Sequence, residues 1–169
     1  MWLKIVGMCL VVAGCGYWGF NRAFALKERI RRLQVFVQSL ALLKNQIVSY
    51  RMPVPEAAEE ISYRICQREV AAFYRELAAE LKEGKGESGE QIWKEAAERT
   101  LWEEDKEVIS RLGAFIGVLD TQIQVQALDG CIGELGETIQ YLRQISPDRI
   151  RLYQTLGFAA GAFLVILLL

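Results

Sequence analysis

Both ends of this chain are apolar and nothing between them is. Leu3 to Phe20 carries only Lys4, and Leu152 to Leu169 carries no charge. A helix needs about 17 to 25 mostly apolar residues to cross the hydrocarbon of a bilayer, and each end reaches that length. The sequence therefore predicts a transmembrane helix at 1–21 and another at 152–169. Between them, residues 22–151 are charged and amphipathic, and at roughly 130 residues they suffice for one domain with its own core. The chain reads as a membrane hairpin holding one domain between its feet.

Charge sets the expected orientation. Arg22, Lys27, Arg29, Arg31 and Arg32 follow the first apolar stretch, and Arg143, Arg149 and Arg151 precede the second. Positive charge flanking both inner ends places the domain in the cytoplasm, with the protein in the cell membrane. One local signal points the other way. Val12-Ala13-Gly14-Cys15 fits a bacterial lipobox, after which a signal peptide is cut and the cysteine acylated. A lipoprotein acylated at Cys15 would carry its helical domain outside the cytoplasm. Against it stand the arginine cluster, which opposes translocation, and Tyr17 to Phe20, apolar where a polar tether belongs.

The formal net charge of −1 hides an asymmetry. Met1 to Arg51 has eight Lys/Arg against Glu28 alone, whereas Pro53 to Arg111 is rich in Glu. A basic juxtamembrane segment fits anionic lipid headgroups, and an acidic domain fits a basic protein partner. Basic residues that gather where the membrane begins argue against nucleic acid. Histidine is absent, which removes the commonest general base and metal ligand near neutral pH. The four cysteines show no Cys-x-x-Cys spacing. Cys66 and Cys131 sit among apolar residues and read as small buried hydrophobes. No catalytic residue, metal site or cofactor is expected, and the chain reads as a non-enzyme.

The domain's periodicity is helical throughout. From Phe20 to Arg51 there is neither Pro nor Gly, and Phe36, Leu40, Leu43, Ile47 and Tyr50 fall at alternating spacings of four and three, one face of a helix that continues the first span. Met52-Pro53-Val54-Pro55 ends it, and Pro55 suits the first turn of the next helix. That helix is expected over Glu56 to Lys82, with Ile61, Ile65, Ala72, Leu77 and Leu81 inward. The glycine-rich run from Glu83 to Gly89 is a loop: Lys85 precedes Gly86 rather than Ser or Thr, and no strand leads into it, so it is no phosphate loop. Ser88 three residues before Gln91 fits a capping box opening a helix with Ile92, Trp93, Ala96 and Ala97 buried.

A further helix is expected from about Glu104 to Leu119. Asp120 caps the next, which carries Leu128, Ile132, Leu135, Ile139 and Leu142 to about Ile145. Ser146-Pro147-Asp148 has the cap, proline and acid of a new helix that becomes the second span. No period-two strand appears, so the fold class is all-α, an antiparallel helical bundle between two transmembrane helices. Gly157 and Gly161 permit close helix packing, either of the two spans on each other or on a second copy.

Three segments together carry a resemblance. Met52-Pro53-Val54-Pro55-Glu56-Ala57 after a long first helix, Leu112-Gly113-Ala114-Phe115-Ile116-Gly117-Val118-Leu119-Asp120, and Arg151-Leu152-Tyr153-Gln154-Thr155-Leu156-Gly157 leading into the last span resemble the stage III sporulation protein AB family. The resemblance covers essentially the whole chain. Val54 and Ile116 stand where the family pattern has Leu, and Ser146-Pro147 interrupts what it keeps as a more continuous helix. That family is in turn similar to the cytoplasmic domains of the F-family platform proteins of type II secretion.

The resemblance implies a membrane component of the secretion-like channel complex between mother cell and forespore in endospore formation, on the mother-cell side. It would work beside a cytoplasmic secretion-type ATPase, the stage III AA-type protein, and other channel proteins. Within the motifs, Pro53, Pro55 and Glu56 set a turn, Leu112, Gly113 and Gly117 belong to a close helix contact, and Asp120 caps a helix. The candidate partner surface is the acidic stretch of Glu95, Glu98, Glu103, Glu104, Asp105 and Glu107, suited to a basic patch on the ATPase.

Overall fold

The computed structural model describes residues 2–84, 88–116 and 121–168, and over 2–23, 147–154, 156–158 and 160–168 it describes the backbone alone. The described residues form six α-helices: α1 (Trp2–Tyr50), α2 (Val54–Arg64), α3 (Arg68–Glu83), α4 (Gly89–Thr100), α5 (Lys106–Ile116) and α6 (Thr121–Leu168), with a 3-10 turn at Glu103–Asp105 before α5. The all-α expectation holds. Two compact units divide the chain: Met1–Arg31 with Ile139–Leu169, and Arg32–Thr138. The expected spans fall in the first unit, and nearly all of their side chains lie outside the described residues. Among the described residues no helix is long and apolar enough to cross a membrane.

The core of the Arg32–Thr138 unit follows from the apolar periodicity. Leu33, Phe36, Leu40, Leu43 and Ile47 of α1 are buried, while Tyr50, at the end of the same stripe, is 68% exposed because the helix stops there. Five aromatic side chains meet at the centre. Phe36 contacts Phe73, Tyr74 and Trp102 with ring centroids 5.7, 6.4 and 6.3 Å away, and Phe73 meets Trp93 edge-on at 4.8 Å. Each buried ring removes a large apolar area from water, and edge-to-face pairs add about 0.5–1.5 kcal/mol beyond that. The polar atoms of the rings themselves are satisfied. Trp93 Nε1 donates to the Ile109 carbonyl at 2.8 Å, and Ser39 Oγ lies 2.6 Å from the Phe36 carbonyl and 3.0 Å from Tyr74 Oη. Burial pushes the Tyr74 phenol well above its ordinary range, so it stays neutral.

Several helix ends obey local rules legible in the sequence. Pro53 holds φ −58° and ψ 149°, α2 starts at Val54, and Pro55 sits in its first turn, where a missing N–H is harmless. Gly84 adopts the left-handed conformation, φ 59°, that closes α3, and its N–H reaches the Glu80 carbonyl. Ser88 Oγ accepts from the Gln91 N–H at 3.2 Å, the expected cap of α4.

Four expectations are corrected. The helix expected over Glu56 to Lys82 is two: Ile65 turns extended, φ −86° and ψ 122°, and α3 restarts after Gln67. That break lets α2 and α3 pack against each other, so Val70, Phe73 and Tyr74 become the buried face in place of Ile65 and Leu81. Cys66 lies in this break and is exposed, whereas Cys131 is buried as expected. Ser146-Pro147-Asp148 starts no helix, since α6 runs through it. A proline there removes one hydrogen bond, to the Arg143 carbonyl, out of a ladder long enough to continue on both sides. Asp105, read as a surface acid, is 4% exposed.

Candidate functional site

Helices α4 and α5 approach closely because Gly113 has no side chain. A Cβ there would lie 2.9 Å from Trp93 Cδ1 and 3.1 Å from the Glu90 carbonyl oxygen. The sequence reading of Gly113 as a close-contact residue thus has a named neighbour. Beside this contact lies an open cleft of about 790 Å³, lined by Glu90, Lys94 and Glu98 from α4 and by Glu103, Lys106, Glu107, Ser110 and Arg111 from the 3-10 turn and α5.

The six acids of the candidate surface do not share one face. Glu98, Glu103 and Glu107 line the cleft with Lys94, Lys106 and Arg111, and Lys106 Nζ donates to Glu103 at 2.7 Å. Glu104 is exposed in the 3-10 turn. Glu95 belongs elsewhere. It accepts from Arg99 at 2.8 Å, and Arg99 also donates to Glu76 and Glu80 of α3 at 2.7 Å each. Those carboxylates raise the arginine's pKa and tie α4 to α3. Asp105 accepts from Trp102 Nε1 at 2.9 Å beneath the surface, so it orders the turn rather than facing a partner. Over the same indole lies Arg32, its guanidinium carbon 5.2 Å from the ring centroid.

Of the motif residues, Leu112 and Gly113 are buried, Pro55 is half-buried, and Pro53 and Glu56 are exposed at the start of α2. Gly117 and Asp120 lie outside the described residues, and Gly157 and Gly161 lie where only the backbone is described. Two features escaped the sequence reading. The Arg99 cluster joins carboxylates 19 and 23 residues away, a separation no local spacing reveals. At the end of α1, Arg51 holds φ 51°, the left-handed region, and the Met52 N–H turns back to the Gln46 carbonyl at 3.1 Å. A glycine is the usual signal for such a turn, and here it is missing.

Among the described residues no group of three or more Cys, Asp or Glu side chains could hold a metal ion. The arrangement offers exposed charge on a fixed helical scaffold. Chemically, such a surface can form ion pairs with opposite charges.

Comparison with known proteins follows from this geometry. A family model described as stage III sporulation protein AB matches residues 4–169. The chain is 23% identical over 172 residues to the stage III sporulation protein AB of Bacillus subtilis (strain 168), covering 99% of each. Among solved structures it is similar to a stage III sporulation protein AB, with a TM-score of 0.63 and 19% identity over 70% of this chain and 96% of that one. The last likeness bears on the fold.

Proposed function

The chain belongs to the stage III sporulation protein AB family, which gives it a role in sporulation, and from that premise we propose that it is a non-enzymatic membrane platform of a secretion-like channel complex. In this reading the two apolar ends anchor it in the mother-cell side of the membrane, its domain faces the cytoplasm, and it couples to a secretion-type ATPase. The family is not a known enzyme family. The observation that carries the reading is that the family match runs through both apolar ends and the whole helical domain between them.

The proposed ATPase contact is the cleft of α4 and α5 with the turn beside it, narrowed to Glu98, Glu103 and Glu107 of the cleft and the exposed Glu104 of the 3-10 turn. Reversing Glu103, Glu104 and Glu107 to Lys should leave helical content and melting nearly unchanged, since exposed charges contribute at most about 1 kcal/mol each. It should weaken ATPase binding, and added salt should weaken the unaltered pair in the same direction. Unchanged affinity of the folded triple variant would remove this surface from the reading. Orientation is tested separately at Cys66, exposed in the α2–α3 break. An impermeant thiol reagent should leave it unlabelled in intact cells, and labelling there would place the domain outside.

A further inference from the structure

We infer that the groove at the end of α1, centred on Arg51, is a docking site for an acidic protein segment, one carboxylate flanked by an apolar residue. The groove, about 690 Å³, is lined by Ile47, Val48, Met52, Pro53 and Val54 with Arg51, Thr121 and Gln124. It shares no residue with the acid-lined cleft.

Charge complementarity identifies the occupant. Residues 32–138 contain 12 Lys/Arg and 19 Asp/Glu, yet the described lining of this groove holds one cation and no carboxylate. Elsewhere in this unit six cations meet carboxylates, among them Lys44 with Asp129, Arg64 with Glu60, Lys82 with Glu59 and Arg99 with three glutamates, while Arg68, Arg75 and Lys94, outside the groove, are without an ion pair among the described residues. Arg51 forms no ion pair among the described residues. A guanidinium takes a carboxylate with two parallel hydrogen bonds. The apolar wall beside it, including the 48%-exposed Val48, takes an aliphatic or aromatic neighbour.

Backbone conformation adds a second observation. Arg51 occupies φ 51°, where glycine is favoured and a side chain is a liability. The arginine is therefore a residue that the turn alone would select against. A membrane surface is a poorer fit than a peptide. Lipid headgroups are held by several cations acting together, and this groove has one beside an apolar wall.

The test uses the full chain in sporulating cells, with the photocrosslinking residue p-benzoylphenylalanine in place of Val48 and the adducts identified by mass spectrometry. Crosslinks should map to a protein segment in which Asp or Glu lies within a few residues of a large apolar side chain. Arg51→Gly should lower the crosslink yield about tenfold, as expected for loss of a charged hydrogen-bonded pair, while melting of the purified chain stays the same or rises. Arg51→Gln, which keeps the Cβ and removes the charge, should lower the yield likewise. Unchanged yield in either variant overturns the proposal. So does mapping to a basic segment, to a second copy of this chain, to lipid alone, or to nothing.

Discussion

Glycines on α5 and α6 look alike in the sequence and differ entirely in the structure. Gly113 lies against Trp93 and the Glu90 carbonyl with no room for a methyl group, whereas a Cβ at Gly130, Gly133 or Gly136 would meet nothing within 4 Å. Both helices use glycine in mid-helix, where it lowers helix stability relative to alanine. On α5 that loss is offset by a contact the fold needs; on α6 nothing within the described chain offsets it. A glycine in a helical pattern is thus a question about its neighbour across the gap, and only the neighbour answers it.

The comparison breaks most visibly at Gly113. Gly113→Ala should destabilise the protein by about 1–3 kcal/mol, the usual cost of forcing a methyl group into packed atoms, read as a fall in melting temperature. If alanine is tolerated there, the close approach of α4 and α5 is looser than described. Its cause can be isolated by a double-mutant cycle with Trp93→Leu. Removing the indole should recover about 1 kcal/mol of the Gly113→Ala penalty, a coupling expected only for residues in contact.

On α6 the sign reverses. Gly130→Ala, Gly133→Ala and Gly136→Ala should each stabilise by about 0.5–1 kcal/mol through helix propensity alone. Destabilisation at any of them would show that something outside the described contacts rests on that face.

The smallest effect separates the two sides of α6. Cys131 faces inward beside the bare glycines, and burial raises its thiol from 9 to about 11. The fold favours the neutral thiol, so this contribution to stability is complete below about pH 9 and declines as pH rises toward 11. At pH 8 alkylation mapped by mass spectrometry should modify exposed Cys66 at least about tenfold faster than Cys131. Equal rates would mean that the inner face of α6 opens readily.

Much of the fold was legible because burial leaves a period in the sequence. Phe36, Leu40, Leu43 and Ile47 declare one helical face, and Ser88 with Gln91 declares a cap. What escaped was set by packing. Ile65 to Gln67 break a helix with no proline or glycine to announce it, and the break becomes visible only where α2 packs against α3. Asp105 reads as one more surface acid until Trp102, three residues earlier, takes its carboxylate inward. The candidate surface fared in the same way: the cluster of acids was visible, but its division between the cleft, the Arg99 cluster and the buried Asp105 depends on how the side chains pack, with Glu80 and Glu76 19 and 23 residues from Arg99 and Trp102 three residues from Asp105.

The ends of α3 and α4 have a practical consequence. Gly84 closes one helix with its own backbone, and Ser88 opens the next with its own hydroxyl, so a cap stands on each side of the connector. A flexible connector between two capped ends can be lengthened cheaply, about 0.6 kcal/mol for each doubling. The natural grip for an epitope or a fluorescent label is therefore here, between two helices that each know where to stop.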